Sequence, residues 1–192
     1  MRARDNPFRT ECLQRLRYRF AGITWEELLG RCERLNYRGA VVGRCGSGKT
    51  TLLEELAPKL QERGLVTRSI RLSREQPSFK PGFLSQLVLK LSDREILLLD
   101  GAEQLSLGGW HWFKCRTRAA GGLIVTTHLP GRLPTLWECR TSAPLLAQLA
   151  ADLLGTEAED LQRQAEELFE RHRGNLREAL RECYDQLAAE SS

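Results

Sequence analysis

Apolar spacing changes character along this chain, and each change marks an element. Residues 39–42 (GAVV) are small and β-branched, as a strand buried on both faces must be. Residues 96–100 (ILLLD) and 121–128 (GGLIVTTH) are aliphatic runs that end in polar residues and predict two more buried strands. Residues 65–72 (LVTRSIRL) alternate instead, as a half-buried strand does, and residues 135–141 (TLWECRT) predict a fifth, short one. Between the strands the period lengthens to that of helices. Trp25, Leu28, Leu29, Cys32 and Leu35 share one face behind a capping box formed by Thr24 and Glu27. Leu52, Leu53, Leu56 and Leu60 form a second stripe, stopped by Gly64, with Pro58 expected to kink or shorten the helix. Residues 73–82 read as loop, residues 83–91 as a short amphipathic helix, and residues 110–120 as a helix mixing Trp110, Trp112 and Phe113 with Lys114, Arg116 and Arg118. The start of the chain, with Phe8, Leu13, Leu16 and Phe20 among arginines, predicts an irregular entry and a short helix. From residue 143 onward the spacing is helical throughout, in three stretches stopped by Gly155 and Gly174, which predicts a small antiparallel bundle.

One stretch between a predicted strand and a predicted helix carries chemistry. Residues 43–50 read GRCGSGKT, which places Gly43, Gly48, Lys49 and Thr50 at the fixed positions of G-x-x-x-x-G-K-[ST], with a further glycine at Gly46. Glycines let a loop curl so that successive backbone N–H groups converge on an anion, and the helix that follows aims its positive end at the same place. The pattern predicts a phosphate-binding loop made by Gly43, Arg44, Cys45, Gly46, Ser47, Gly48, Lys49, Thr50 and Thr51. Lys49 would reach the β and γ phosphates of a nucleotide, and the Thr50 hydroxyl would ligate Mg²⁺. The plainer reading is a glycine-rich turn without a ligand.

Composition narrows the setting. A chain of 192 residues forms one ordinary domain, or a core with a small appendage. No apolar run approaches a membrane span, and the N-terminal charges are not followed by an apolar stretch, so no membrane association and a cytoplasmic location are expected. The six cysteines show no C-x-x-C pair, which points to reduced thiols rather than zinc; Cys45, inside the glycine loop and near Lys49, is a candidate for oxidation. The net charge of +4 is unevenly spread: residues 143–192 hold 5 basic against 11 acidic side chains, and everything before them is basic. The basic part admits contact with nucleic acid, although a solvated surface explains it as well.

Asp100 closes the run ILLLD, where a buried strand would deliver a carboxylate to the sheet edge. With residues 43–50 some fifty positions upstream, this resembles the Walker A and Walker B pair of the P-loop NTPases, and specifically the AAA+-like branch, which has an inserted strand beside the first. The resemblance implies an α/β fold: a RecA-like parallel sheet of about five strands flanked by helices, then a C-terminal helical lid. It divides the chain into a nucleotide-binding core with a helical lead-in, residues 1–142, and a lid, residues 143–192. It implies ATP as ligand with Mg²⁺ held by Thr50 and Asp100, bound between core and lid. In that branch a glutamate normally follows the aspartate, but here the position is Gly101 and the nearest acid is Glu103, the candidate to activate water. Thr127, at the end of the strand beside Walker B, is implied as a γ-phosphate sensor, with His128 next to it. Residues 174–180 (GNLREAL) are similar to the G-x-x-R-x-A-L element of AAA+ lids, which makes Arg177 a second sensor. Arg132 would serve as an arginine finger in trans, and Tyr18 and Phe20 are candidates to stack on the base, although core packing is the plainer role for both. The motif order also resembles small bacterial ATPases that act in secretion and transposition.

The activity implied is a Mg-dependent ATP hydrolase that moves its lid or a partner, with homo-oligomer, partner protein or nucleic acid as candidate contacts. Gly101 keeps a second class open, a nucleotide-dependent switch that binds without hydrolysing. A small-molecule kinase fits less well because the lid is acidic, and a GTPase would need an N-K-x-D segment that the sequence lacks.

Overall fold

The computed structural model describes residues 16–20, 22–79, 82, 86–87 and 91–190. The expected helix at residues 83–91 and the lead-in before Leu16, with Phe8, Leu13 and Cys12, fall mostly outside the described residues. Six α-helices and five strands are described: α1 Trp25–Arg34, β1 Arg38–Val42, α2 Lys49–Glu62, β2 Val66–Arg71, β3 Glu95–Asp100, α3 Leu107–Arg116, β4 Gly122–Thr127, β5 Thr135–Glu138, α4 Ala143–Leu154, α5 Gln162–Arg171 and α6 Leu176–Glu190. Short 3₁₀ turns cover Ala102–Gln104 and Glu159–Leu161.

The strands form one sheet in the order β2-β3-β4-β1-β5, every neighbouring pair parallel. This is the α/β fold that the alternating pattern implied. The strand inserted next to β1 is β4, whereas β2, the strand that lies between the two motifs in sequence, runs at the sheet edge beside β3. All six residues of β4 are buried, and Ile96, Leu97, Leu98 and Leu99 of β3 are fully so, as strands inside a parallel sheet require. On one face Ala40, Val42, Leu97, Leu99, Leu123 and Val125 pack with Trp110 and Phe113 of α3. Trp112, from the same helix, is instead half exposed, with the Arg116 guanidinium over its ring.

Helix α2 runs four residues beyond Pro58 and ends at Glu62, so the proline does not shorten it. A proline inside a helix costs roughly 3 kcal/mol, while burying a leucine returns about 1.5–3 kcal/mol. Leu52, Leu53, Leu56 and Leu60 are all buried, which outweighs the missing N–H. Helix α3 starts three residues before Trp110 because the Ser106 hydroxyl accepts from Gly109 N at 3.1 Å and caps it. The Thr24–Glu27 capping box is present on α1.

The chain divides into two compact units. The sheet unit comprises residues 19–43 and 49–138. The second unit comprises the residues up to Tyr18, residues 44–48, and everything from Cys139. Its core joins Leu146, Ala147 and Ala150 of α4, Ala165 and Leu168 of α5, and Leu176, Ala179 and Leu180 of α6. Gly155 ends α4 in the left-handed conformation, and Gly174, φ 81°, precedes α6, so both glycines stop helices where the pattern placed them.

Candidate functional site

The C-terminal ends of parallel strands gather the chain's polar residues, because there the ladder stops and the side chains no longer face a core. In the sheet unit Val42 ends β1 and hands the chain to Gly43, whose N–H donates to the carbonyl of Thr127, the last residue of β4, at 3.1 Å. Six residues on, Lys49 opens α2. Its side chain is buried and its ammonium donates to the Gly43 carbonyl at 2.7 Å, so the lysine curls back over its own loop. The Thr50 hydroxyl donates to Asp100 Oδ2 at 3.0 Å, which brings the two residues expected to share a metal together across fifty positions of sequence. The exposed Arg71, at the end of β2, places Nε 3.6 Å from the same oxygen.

The other oxygen of Asp100 is held from β4. The Thr126 hydroxyl donates to Oδ1 at 2.7 Å and accepts from Gly101 N at 2.8 Å, so one buried threonine fixes both the carboxylate and the turn after it. Thr127, the sequence candidate, is also buried, and its hydroxyl donates to the Leu129 carbonyl at 3.2 Å. The β3–β4 register explains the difference. Leu99 pairs with Val125, so the next level sets Asp100 beside Thr126. The sequence did not single out Thr126, because only the register shows that it is the threonine that meets the aspartate.

Gly101 has φ +88°, and a Cβ there would stand 2.3 Å from the Leu72 carbonyl oxygen. Neither that backbone conformation nor that space admits a side chain. This is why no acid follows Asp100. The chain then makes the 3₁₀ turn Ala102–Gln104 and delivers Glu103, whose Oε1 lies 3.3 Å from His128 Nε2. Glu103 Oε2 is buried and has no hydrogen-bond partner among the described residues. Arg132 turns inward: Nη2 donates to the Leu105 carbonyl at 2.6 Å, and the guanidinium lies 5.3 Å from the Trp110 ring centroid. Burial lowers the Arg132 pKa, and the Glu103 carboxylate works against that shift. The arginine expected to serve a neighbouring copy is therefore engaged within its own unit.

In the second unit, the loop residues Gly46 and Gly48 have φ of +72° and +85°. The missing side chains are used: a Cβ on Gly46 would overlap Asn175 Oδ1, and one on Gly48 would press on the Tyr18 ring at 3.2 Å. Tyr18 in turn donates its hydroxyl to Cys139 Sγ at 3.2 Å. Asn175 Oδ1 accepts from Glu178 N at 3.2 Å, and the Arg177 backbone N lies 3.3 Å from that same Gly46 position, while its side chain is exposed. The Ser47 hydroxyl is buried without a partner, whereas Arg44 and Cys45 are exposed. Phe20, in the sheet unit, packs edge-on against Trp25 and Trp137 at 4.8 and 5.6 Å, so it serves the core rather than a base.

These residues fit a magnesium nucleotide. Thr50 and Asp100 are hard oxygen donors at one place, and an orphaned buried hydroxyl in a loop of left-handed glycines is what phosphate oxygens would satisfy. Among the described residues no three His, Cys, Asp or Glu side chains cluster to hold a metal ion. No helix among the described residues is long and apolar enough to cross a membrane.

No protein-family model matches the sequence, and no curated protein matches it. Solved structures are similar in fold. A threonine-to-valine variant of RuvB from Thermotoga maritima is 20% identical with a TM-score of 0.52, over 81% of this chain and 58% of that one. A lysine-to-arginine variant of the same protein is 18% identical with a TM-score of 0.52, over 83% of this chain and 60% of that one. The chain thus spans about three-fifths of the length of the RuvB chains it resembles. At such identity the likeness shows the fold alone, an α/β fold with a five-stranded parallel sheet flanked by helices.

Proposed function

We propose that this chain binds ATP with Mg²⁺ and hydrolyses it as a small AAA+-like ATPase. The observation that carries the reading is the contact of the Thr50 hydroxyl with Asp100 at 3.0 Å, next to a lysine folded over its own phosphate loop. Gly43 to Thr51 would cradle the phosphates through backbone N–H groups and the Ser47 hydroxyl, and Lys49 would leave the Gly43 carbonyl to meet the β and γ oxygens. Thr50 and Asp100 would hold the magnesium, which neutralises phosphate charge when bound. Glu103, with one oxygen buried and unpartnered, would orient the attacking water and take its proton. Thr126 keeps Asp100 and the Gly101 turn in place. Thr127 and Arg177 would respond to the γ-phosphate, and the helical unit that carries Arg177 would move with nucleotide state. Further copies, a partner protein or nucleic acid are the candidate contacts, and the half-exposed Trp112 with Arg116 is one surface suited to them.

The rival is a nucleotide switch without turnover, favoured by the one observation that the usual seat of the acid is closed at Gly101. ATP turnover by wild type and Lys49→Ala, each with Mg²⁺ and with chelator, tests the proposal. The expected result is Mg-dependent turnover that falls about 100-fold or more in the variant, the scale of losing a preorganised charge partner. Equal turnover in both proteins, or none in wild type that binds ATP, contradicts it.

A further inference from the structure

Glu103 is the one acid near the end of β3 with an oxygen left over, and its surroundings are specific. Oε1 faces His128 Nε2 at 3.3 Å, and Oε2 is buried and unpartnered. Arg132, whose positive charge Glu103 supports, also has a buried nitrogen, Nη1, with no partner. A buried carboxylate oxygen and a buried guanidinium nitrogen that stay unpaired in the same neighbourhood are costly unless something polar joins them. His128, which meets Glu103, is the residue after β4, and Arg132, whose charge also acts on it, lies four further on. Neither the Gly101 turn nor the 3₁₀ helix can hold a carboxylate by itself. A glutamate that directly followed the aspartate would be fixed by the strand, whereas one three residues later needs an outside brace.

The geometry points to His128 as the positioning residue for Glu103, with Arg132 as the second brace. Nε2–H of His128 donates to Oε1, which leaves Oε2 as the acceptor for a water, while Arg132, anchored on the Leu105 carbonyl and the Trp110 face, supplies a positive charge that acts on the same carboxylate. Carbonyl and ring hold the arginine, the arginine and histidine hold the carboxylate, and the carboxylate holds the water. This inference rests on the reading of Glu103 as the water-orienting acid.

The experiment is steady-state ATP turnover, with parallel ATP binding titrations, for wild type, Glu103→Gln, His128→Ala, His128→Gln and Arg132→Lys. A lost brace misplaces the carboxylate by a fraction of its reach, which costs about 10- to 100-fold in kcat. His128→Ala is expected to lose that much with KM and ATP affinity within about twofold, since the side chain's ion-pair contact is with Glu103 and the substitution removes no group proposed to hold phosphate. His128→Gln, which keeps an N–H near the place of Nε2, is expected to recover most of the rate. Arg132→Lys, which cannot both bond Leu105 and stack on Trp110, is expected to lose kcat less than His128→Ala and also to keep affinity. His128→Ala turning over like wild type, or His128→Gln losing as much as alanine, or the loss falling on KM and affinity instead of kcat, overturns the inference. If Glu103→Gln itself keeps full turnover, or wild type binds ATP without turning it over, the reading of Glu103 fails first and the brace has nothing to position.

Discussion

The two polar segments at the C-terminal end of the sheet, residues 43–50 after β1 and residues 100–103 after β3, are built by opposite means. The first is written in local chain chemistry: glycines where the backbone must be left-handed, then a lysine and a threonine at the start of a helix. Its spacing can be recognised without a structure because the residues that carry the pattern lie within the segment, even though Tyr18 and Asn175 pack against its glycines. The second is set by distant parts of the chain. Thr126 fixes Asp100 from β4, the Leu72 carbonyl at the end of β2 closes the space beside Gly101, and His128 meets Glu103 from the residue after β4. A locally determined segment keeps its motif, while in a tertiary one the nearest acid can stand two positions further on, at Glu103 instead of residue 101.

The largest effect that tests this contrast is expected from Gly101→Glu, which restores the residue type usual after the aspartate. Local reasoning predicts a better enzyme. The structure predicts the reverse, because a side chain in the left-handed conformation is strained and its Cβ overlaps the Leu72 carbonyl. Denaturant unfolding should show a loss of roughly 3 kcal/mol or more. Unchanged stability would mean that the turn is set locally after all.

A smaller effect is expected from Thr126→Val, which keeps the shape of the side chain but removes the hydroxyl that accepts from Gly101 N and donates to Asp100. Leaving a buried N–H unpaired costs about 1–3 kcal/mol, and Thr126→Ser should recover most of it in the same unfolding measurement. If Thr127→Val proved the more damaging of the two, the register-based assignment would be wrong.

The strands and most helices were legible because burial on both faces leaves a continuous aliphatic run, as at residues 96–99, and a packed stripe leaves the helical period, as at Leu52, Leu56 and Leu60. The sequence misled where a long-range balance decided. Pro58 reads as a kink or an early end, yet the leucine face around it carries α2 on to Glu62. Arg132 reads as a free basic side chain on a loop, yet a carbonyl and an indole hold it inward. For Phe20 the plainer of its two readings holds, since the ring packs edge-on against Trp25 and Trp137. The pairing of Glu103 with His128 had no signal in the linear order, since twenty-five positions separate the two and no motif spans them.

The most direct test of the account is single-turnover ATP hydrolysis by Glu103→Gln beside wild type, with bound nucleotide measured in the same samples. The account predicts that the variant holds Mg²⁺ and ATP as tightly as wild type while its hydrolysis falls by about 100-fold or more, the scale of a lost general base. Hydrolysis at the wild-type rate with Glu103 neutralised would contradict it, and would return the site to a phosphate loop whose acid lies elsewhere.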